Sequence, residues 1–244
     1  MQNRSAVKLQ SSRRLSERMR RRLRRHHLPL AALSVVAVAA LYLTRPYPDR
    51  ITRLSFSTAY PALVLLAFTL VTGPWNVLLG RGNPVSNDLR RDVGAWAGAF
   101  ALTHTAIGQC VHLRGRPWLY YVYGPWEHGH RFPLRHDLFG FNNYTGLASA
   151  LLVALLLATS SDWALRLLGA PKWKRLQRWN YAAATLAVAH GLGYQTQEKQ
   201  KAHFVAIVLA SALVVLLMQA AGWLARGAAR SPSGLAHRAD ASDQ

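Results

Sequence analysis

Six stretches of this chain are almost wholly apolar for about the length of a membrane crossing, and polar and basic residues gather in the short runs between them. A helix that crosses hydrocarbon needs ~20 such residues, because each backbone N–H and C=O must be satisfied inside its own segment. The stretches are Leu28–Thr44, Tyr60–Leu79, Val93–Leu113, Phe141–Thr159, Leu176–Tyr194 and Phe204–Leu224. Gly73 and Pro74 predict a kink in the second. The expected fold is all-α: a polytopic membrane helix bundle of about six transmembrane helices over 28–225, between a basic tail at 1–27 and a short tail at 226–244.

Charge orients this bundle. If every stretch crosses once, 21 of the 30 Lys and Arg fall on the side of the N-terminus and 9 on the other, so the positive-inside rule predicts N-in and C-in. Arg20, Arg21, Arg22, Arg24 and Arg25 then read as a topology determinant lying on anionic membrane lipid. A signal peptide ending near Ala37-Val38-Ala39 is the alternative, and it leaves the later helices unchanged. A formal net charge of +20 would fit a nucleic-acid binder, but 51% hydrophobic residues concentrated in long runs exclude a water-soluble one. Too few residues remain outside the bilayer for a separate catalytic domain of ~100 residues. The single cysteine, Cys110, allows no intramolecular disulfide and no Cys-based metal site.

Chemistry must therefore sit among the helices, where ionisable residues are costly and mark function. His104 lies 12 residues beyond Asp92 on the third stretch, and His190 lies 11 beyond Trp179 on the fifth. Both stretches run the same way, so at ~1.5 Å per residue the two imidazoles reach nearly one depth. Equal depth on two helices is what bis-histidine ligation of a haem iron requires. Ala97, Ala101 and Gly108 share the face of His104, and Ala183, Ala187 and Gly193 that of His190; small residues leave room for a macrocycle or permit close helix packing. Without haem, the pair would be a polar contact or proton relay in a scaffold or small-solute transporter. His112 and His203 could form a second site near the outer surface. The loop with Glu127, His128, His130, His136 and Asp137 could gather a metal, or be a folded loop with interfacial Trp118, Tyr120, Tyr121, Tyr123 and Trp126.

No dinucleotide fingerprint, phosphate-binding loop or zinc-protease motif occurs, so electrons for any haem must come from another protein or a membrane quinol. The run Leu89-Arg90-Arg91-Asp92-Val93-Gly94 leading to Leu102-Thr103-His104, followed by Thr159-Ser160, Leu168-Gly169, Trp173, Leu176, Tyr181 and His190, resembles the ferric-reductase-like transmembrane superfamily. It is most similar to the haem-binding membrane subunits of periplasmic methionine sulfoxide reductase systems, over roughly Tyr60 to Leu224. The resemblance implies a b-type cytochrome of the bacterial inner membrane, with haem b on His104 and His190, and electrons passed to a periplasmic partner reductase or a ferric species. Relatives commonly carry a further His where this chain has Gln177, and the matching level of the third helix holds Arg90 and Arg91. That departure speaks against an inner haem. Across the inner half, a flavin or quinone near Arg90, Arg91, Gln177 and Arg178 would carry electrons, its anionic phosphate suited to guanidinium, or a quinol or cytoplasmic flavoprotein would deliver them.

Overall fold

The computed structural model describes residues 16–44, 47, 49–81, 88–113, 115–127, 129–197 and 202–228. Among these the fold is an all-α bundle: α1 (Ser16–Thr44), α2 (Arg50–Leu78), α3 (Asp88–Gly108), α4 (Leu138–Ala158), α5 (Asp162–Gln177), α6 (Trp179–Gln197) and α7 (Ala202–Ala228). Each of the six apolar stretches falls largely within one helix. The additional helix, α5, lies in the segment expected as a connecting loop, and Gly169 at φ 71° breaks it ahead of Pro171. Side chains start three of the helices: Asp49 accepts from the Thr52 amide, Asp137 from Gly140 and Ser161 from Ala164.

Helices α1, α2, α4 and α7 are long and apolar enough to cross a membrane. The other two long helices of the bundle, α3 with 21 residues and α6 with 19, carry the histidines and more polar residues. The distribution of side chains is that of a membrane protein. Leu33, Leu151 and Leu216 are more than 60% exposed on the outside, while Ser57, Thr69, Asn142, Thr145 and Gln195 are buried inside. Water would penalise that outer surface, and hydrocarbon would not.

α2 is the centre of the bundle, packing on α1, α3 and α7, while α4 packs on α6. It continues through Pro61 and Pro74 as one helix. Pro74 has no N–H, so the Leu70 carbonyl one turn earlier loses its helical donor. Gln219 of α7 supplies a replacement, its Nε2 donating to Leu70 O at 2.9 Å. Gly222, a turn further along α7, is where the Pro74 ring seats: a Cβ there would lie 2.9 Å from the proline Cβ.

The basic tail is more than a charged flank. Residues 16–27 extend α1, and a π turn at Leu23–His27 brings Arg22, His26 and His27 together on Asp92 at the start of α3. Asp92 is 2% exposed, His26 Nδ1 lies 2.7 Å from its Oδ2, and Arg18 pairs with Asp88 at 2.8 Å. Residues 1–15 and 229–244, most of both expected tails, lie outside the described residues.

Candidate functional site

α3 carries His104 and α6 carries His190, and the bundle brings them together with ring centres 6.1 Å apart and planes inclined at 70°. Each imidazole is held from behind by a helix carbonyl. His104 Nδ1 lies 2.9 Å from Ser55 O of α2, and His190 Nδ1 lies 2.7 Å from Asn142 O of α4. A carbonyl can only accept, so both Nδ1 atoms carry the proton and both Nε2 atoms keep a lone pair. The two supports repeat one pattern, because a threonine three residues on also donates to the same carbonyl: Thr58 to Ser55 O and Thr145 to Asn142 O, each at 2.9 Å. No hydrogen bond joins the two rings, and neither Nε2 has a partner among the described residues.

Both histidines line a cavity of about 510 Å³ that runs between the helices. Ala97, Ala101, Gly108 and Ala187 line it, as their shared faces predict. Ala183 and Gly193 instead serve packing. Ala183 is fully buried and its carbonyl accepts from Ser149, while Gly193 lies so close to the Asn142 amide that no side chain fits. Gly146 of α4 does for His190 what the sequence did not indicate: a Cβ there would sit 2.5 Å from Nδ1. Toward the outer end, Tyr194 packs on His190 at 5.0 Å and stacks on His112 at 6.3 Å, and its hydroxyl donates to Asn143 Oδ1.

His112 thus sits among Tyr120, Phe139 and Tyr194, and His203 is exposed beside Phe204; among the described residues no ring contact joins those two histidines. In the outer loop, His128 lies outside the described residues, while His130 and His136 are 5.4 Å apart with Tyr123 stacked on His130. The carboxylates expected to complete a metal site are committed elsewhere. Arg135, its side chain 12% exposed, pairs with Glu127 at 2.9 Å and Asp137 at 3.0 Å, and its guanidinium lies over Tyr123 and Phe139. The Gly124 amide and then Arg135 hold Glu127 below its ordinary range. For Asp137, burial works upward, but hydrogen bonds from Arg135 and the Gly140 amide outweigh it and keep that carboxyl low as well. Among the described residues no group of three or more His, Cys, Asp or Glu is arranged to hold a metal ion.

At the other end, Arg91 donates to Ser160 O and pairs with Asp162, fastening α3 to the start of α5. Gln177 reaches Leu156 O at 3.4 Å. Arg90 and Arg178 line the cavity and make no side-chain hydrogen bond or ion pair with a described residue. Nothing in the residue pattern singles out Ser55 and Asn142, since their contribution is a backbone carbonyl; the Ser-x-x-Thr and Asn-x-x-Thr spacings are the only trace they leave. No protein-family model and no curated protein matches this chain.

Proposed function

We propose that this chain is a membrane-integral b-type cytochrome that transfers electrons across the bacterial inner membrane to an acceptor on the outer side, a partner reductase or a ferric species. One observation carries the reading: His104 and His190, on separate helices, have both Nδ1–H groups engaged and both Nε2 lone pairs free beside a cavity. A metal–imidazole nitrogen distance is ~2 Å, so two rings on opposite sides of one metal atom have centres roughly 6 to 6.5 Å apart. The 6.1 Å separation agrees with this. Carbonyl-bound Nδ1–H is also the usual outer-shell support of a metal-binding histidine. The residues present fit a haem, which His104 and His190 would hold and which would supply one-electron ferric–ferrous chemistry there.

The chain's own residues then have separable tasks. Ser55 and Asn142 fix the tautomer and aim each ring, Thr58 and Thr145 hold those carbonyls, and the small residues of α3 and Gly146 keep the space clear. Tyr194 and His112 lead from the pair toward the outer surface, where the acceptor would dock. Electrons would arrive from a quinol in the membrane or a cytoplasmic flavoprotein, in a six-span, N-in and C-in arrangement. The haem-free polar pair is less well supported, because the rings give their protons to carbonyls and not to each other.

The test is an oxidised and dithionite-reduced absorbance spectrum of the purified chain with haem measured per chain. His104→Ala and His190→Ala should each abolish the b-type bands, and His112→Ala should keep them. A colourless wild-type protein made with ample haem, or normal spectra from both axial variants, would refute the reading.

A further inference from the structure

The cavity has a second, chemically distinct end. Its lining includes Arg90, Arg91, Lys174, Arg178 and Arg226, drawn from α3, the α5–α6 junction and the last turn of α7, and among the described residues no carboxylate lines it. Arg91 is neutralised by Asp162, but Arg90, Lys174, Arg178 and Arg226 make no side-chain hydrogen bond or ion pair with a described residue. Contacts of neighbouring residues put these segments at the same end of the bundle. Arg91 reaches Ser160 O, Trp173 donates to Thr159 O, and Gln219 and Gly222 of α7 pack on Leu70 and Pro74 of α2, one turn before Arg226. Arg90 precedes His104 by 14 residues and Arg178 precedes His190 by 12, so this end lies ~20 Å along the helices from the histidine pair.

Four cations at the edge of an apolar space, with no counter-charge among the described residues, favour an anion at this end of the cavity. Between the cations and the histidines the walls include Leu66, Leu70, Gly73, Pro74 and Val153 beside polar Thr69, Ser149 and Gln219. α6 and α7 pack together in their outer halves, where Val208 meets Gly191, whereas the inner half of α7 lies against α2. Arg178 and Tyr181 of the α6 end and Gln219 and Arg226 of α7 line the cavity here. A ligand that fits is anionic at its head, aliphatic in its body and present in the bilayer.

We propose that this end of the cavity binds the phosphate of an anionic phospholipid through Arg90, Lys174, Arg178 and Arg226, with acyl chain entering between α6 and α7. Basic pockets between transmembrane helices at the cytoplasmic surface recognise such headgroups through the same chemistry. The site goes beyond the cytochrome reading and does not need it: the lipid touches neither histidine, and binding is read without haem.

The experiment uses the full chain, delipidated in detergent and titrated with phosphatidylglycerol or phosphatidylcholine, bound lipid per chain being read by native mass spectrometry. Phosphatidylglycerol should bind and phosphatidylcholine should not, and Arg90→Gln/Arg226→Gln should weaken phosphatidylglycerol roughly tenfold or more. Arg24→Gln/Arg25→Gln, which removes exposed cations of the tail, should leave binding unchanged. Elution volume shows whether each variant is folded, and the wild-type lipid comparison stands even if a variant is not. Equal binding of the two lipids, or equal loss in the tail variant, overturns the site. So does displacement by inorganic phosphate at the lipid's own concentration, which would mark a free-anion site, or release of a flavin from the cavity instead of phospholipid. Retained haem bands with no lipid selectivity would sink this site alone; lipid selectivity without haem would sink the cytochrome reading alone.

Discussion

An imidazole can offer a lone pair only from the nitrogen without a proton, so the carbonyls of Ser55 and Asn142 decide what His104 and His190 can do. Orientation is set just as locally. Gly146 stands so near His190 that a methyl group would meet Nδ1 at 2.5 Å, whereas a Cβ on Gly191 would meet Val208 at an ordinary 3.8 Å. Overpacking by a methyl costs about 1–3 kcal/mol, which is roughly a 5- to 150-fold weakening if it falls on ligand binding. Gly146→Ala should therefore lower haem content and Gly191→Ala should not, as pyridine haemochrome assays of the two variants would show; equal haem in both would mean the ring has room to move. The histidines were legible in the sequence because a side chain with a titratable group at membrane depth stands out against Ala and Leu. Their supports were not, because a backbone carbonyl belongs to every residue and only the fold says which one faces the ring.

Helices were the most readable scale, since the need to bury every backbone group in hydrocarbon writes itself as long apolar runs. What those runs could not convey is how a helix survives an interruption. Pro74 removes one hydrogen bond from α2, yet the helix continues, and the Leu70 carbonyl that Pro74 leaves without a donor is taken by Gln219. Gln219→Leu should then cost about 0.5–1.5 kcal/mol, the range for hydrogen bonds between membrane helices. In a Pro74→Ala background, where α2 can satisfy Leu70 itself, most of that cost should vanish; SDS unfolding of the four proteins measures the coupling, and additive costs would refute the exchange of donors. The outer loop was legible only as aromatic and folded. Its organiser, Arg135 between Glu127 and Asp137, was hidden because those carboxylates read equally well as metal ligands. Both have folded pKa values below their ordinary 4.5 and 3.8, so their contribution is fully present above those values and is lost as pH falls through the lower folded ones. Hydrogen exchange over 115–137 should accelerate below about pH 4 while α2 and α4 stay protected; a loop unchanged down to pH 2 would show that Arg135 contributes little.

At the scale of the molecule, the two ends differ in kind, and the difference bears on which way the bundle sits. One end holds the N-terminal arginines, the Asp92 node and the four cations Arg90, Lys174, Arg178 and Arg226 of the cavity; the other holds Trp118 and Trp126, both more than half exposed, beside the Arg135 loop. If all six stretches cross, moving the first end outward would carry an excess of Lys and Arg across the membrane against the positive-inside bias, 21 against 9. The chain carries its own reporter for this. Cys110 is the single cysteine, is exposed, and lies two residues past the end of α3 at Gly108, on the outer side if α3 starts inside at Asp88. A membrane-impermeant maleimide applied to intact spheroplasts should therefore label the native chain, and Cys110→Ser should abolish that signal. Arg24 is exposed on the opposite end, so a cysteine introduced there in the Cys110→Ser background should react only after the membrane is opened. The reverse pattern would turn the bundle over, put the cationic end of the cavity in the outer leaflet, and aim His112 and Tyr194 at the cytoplasm.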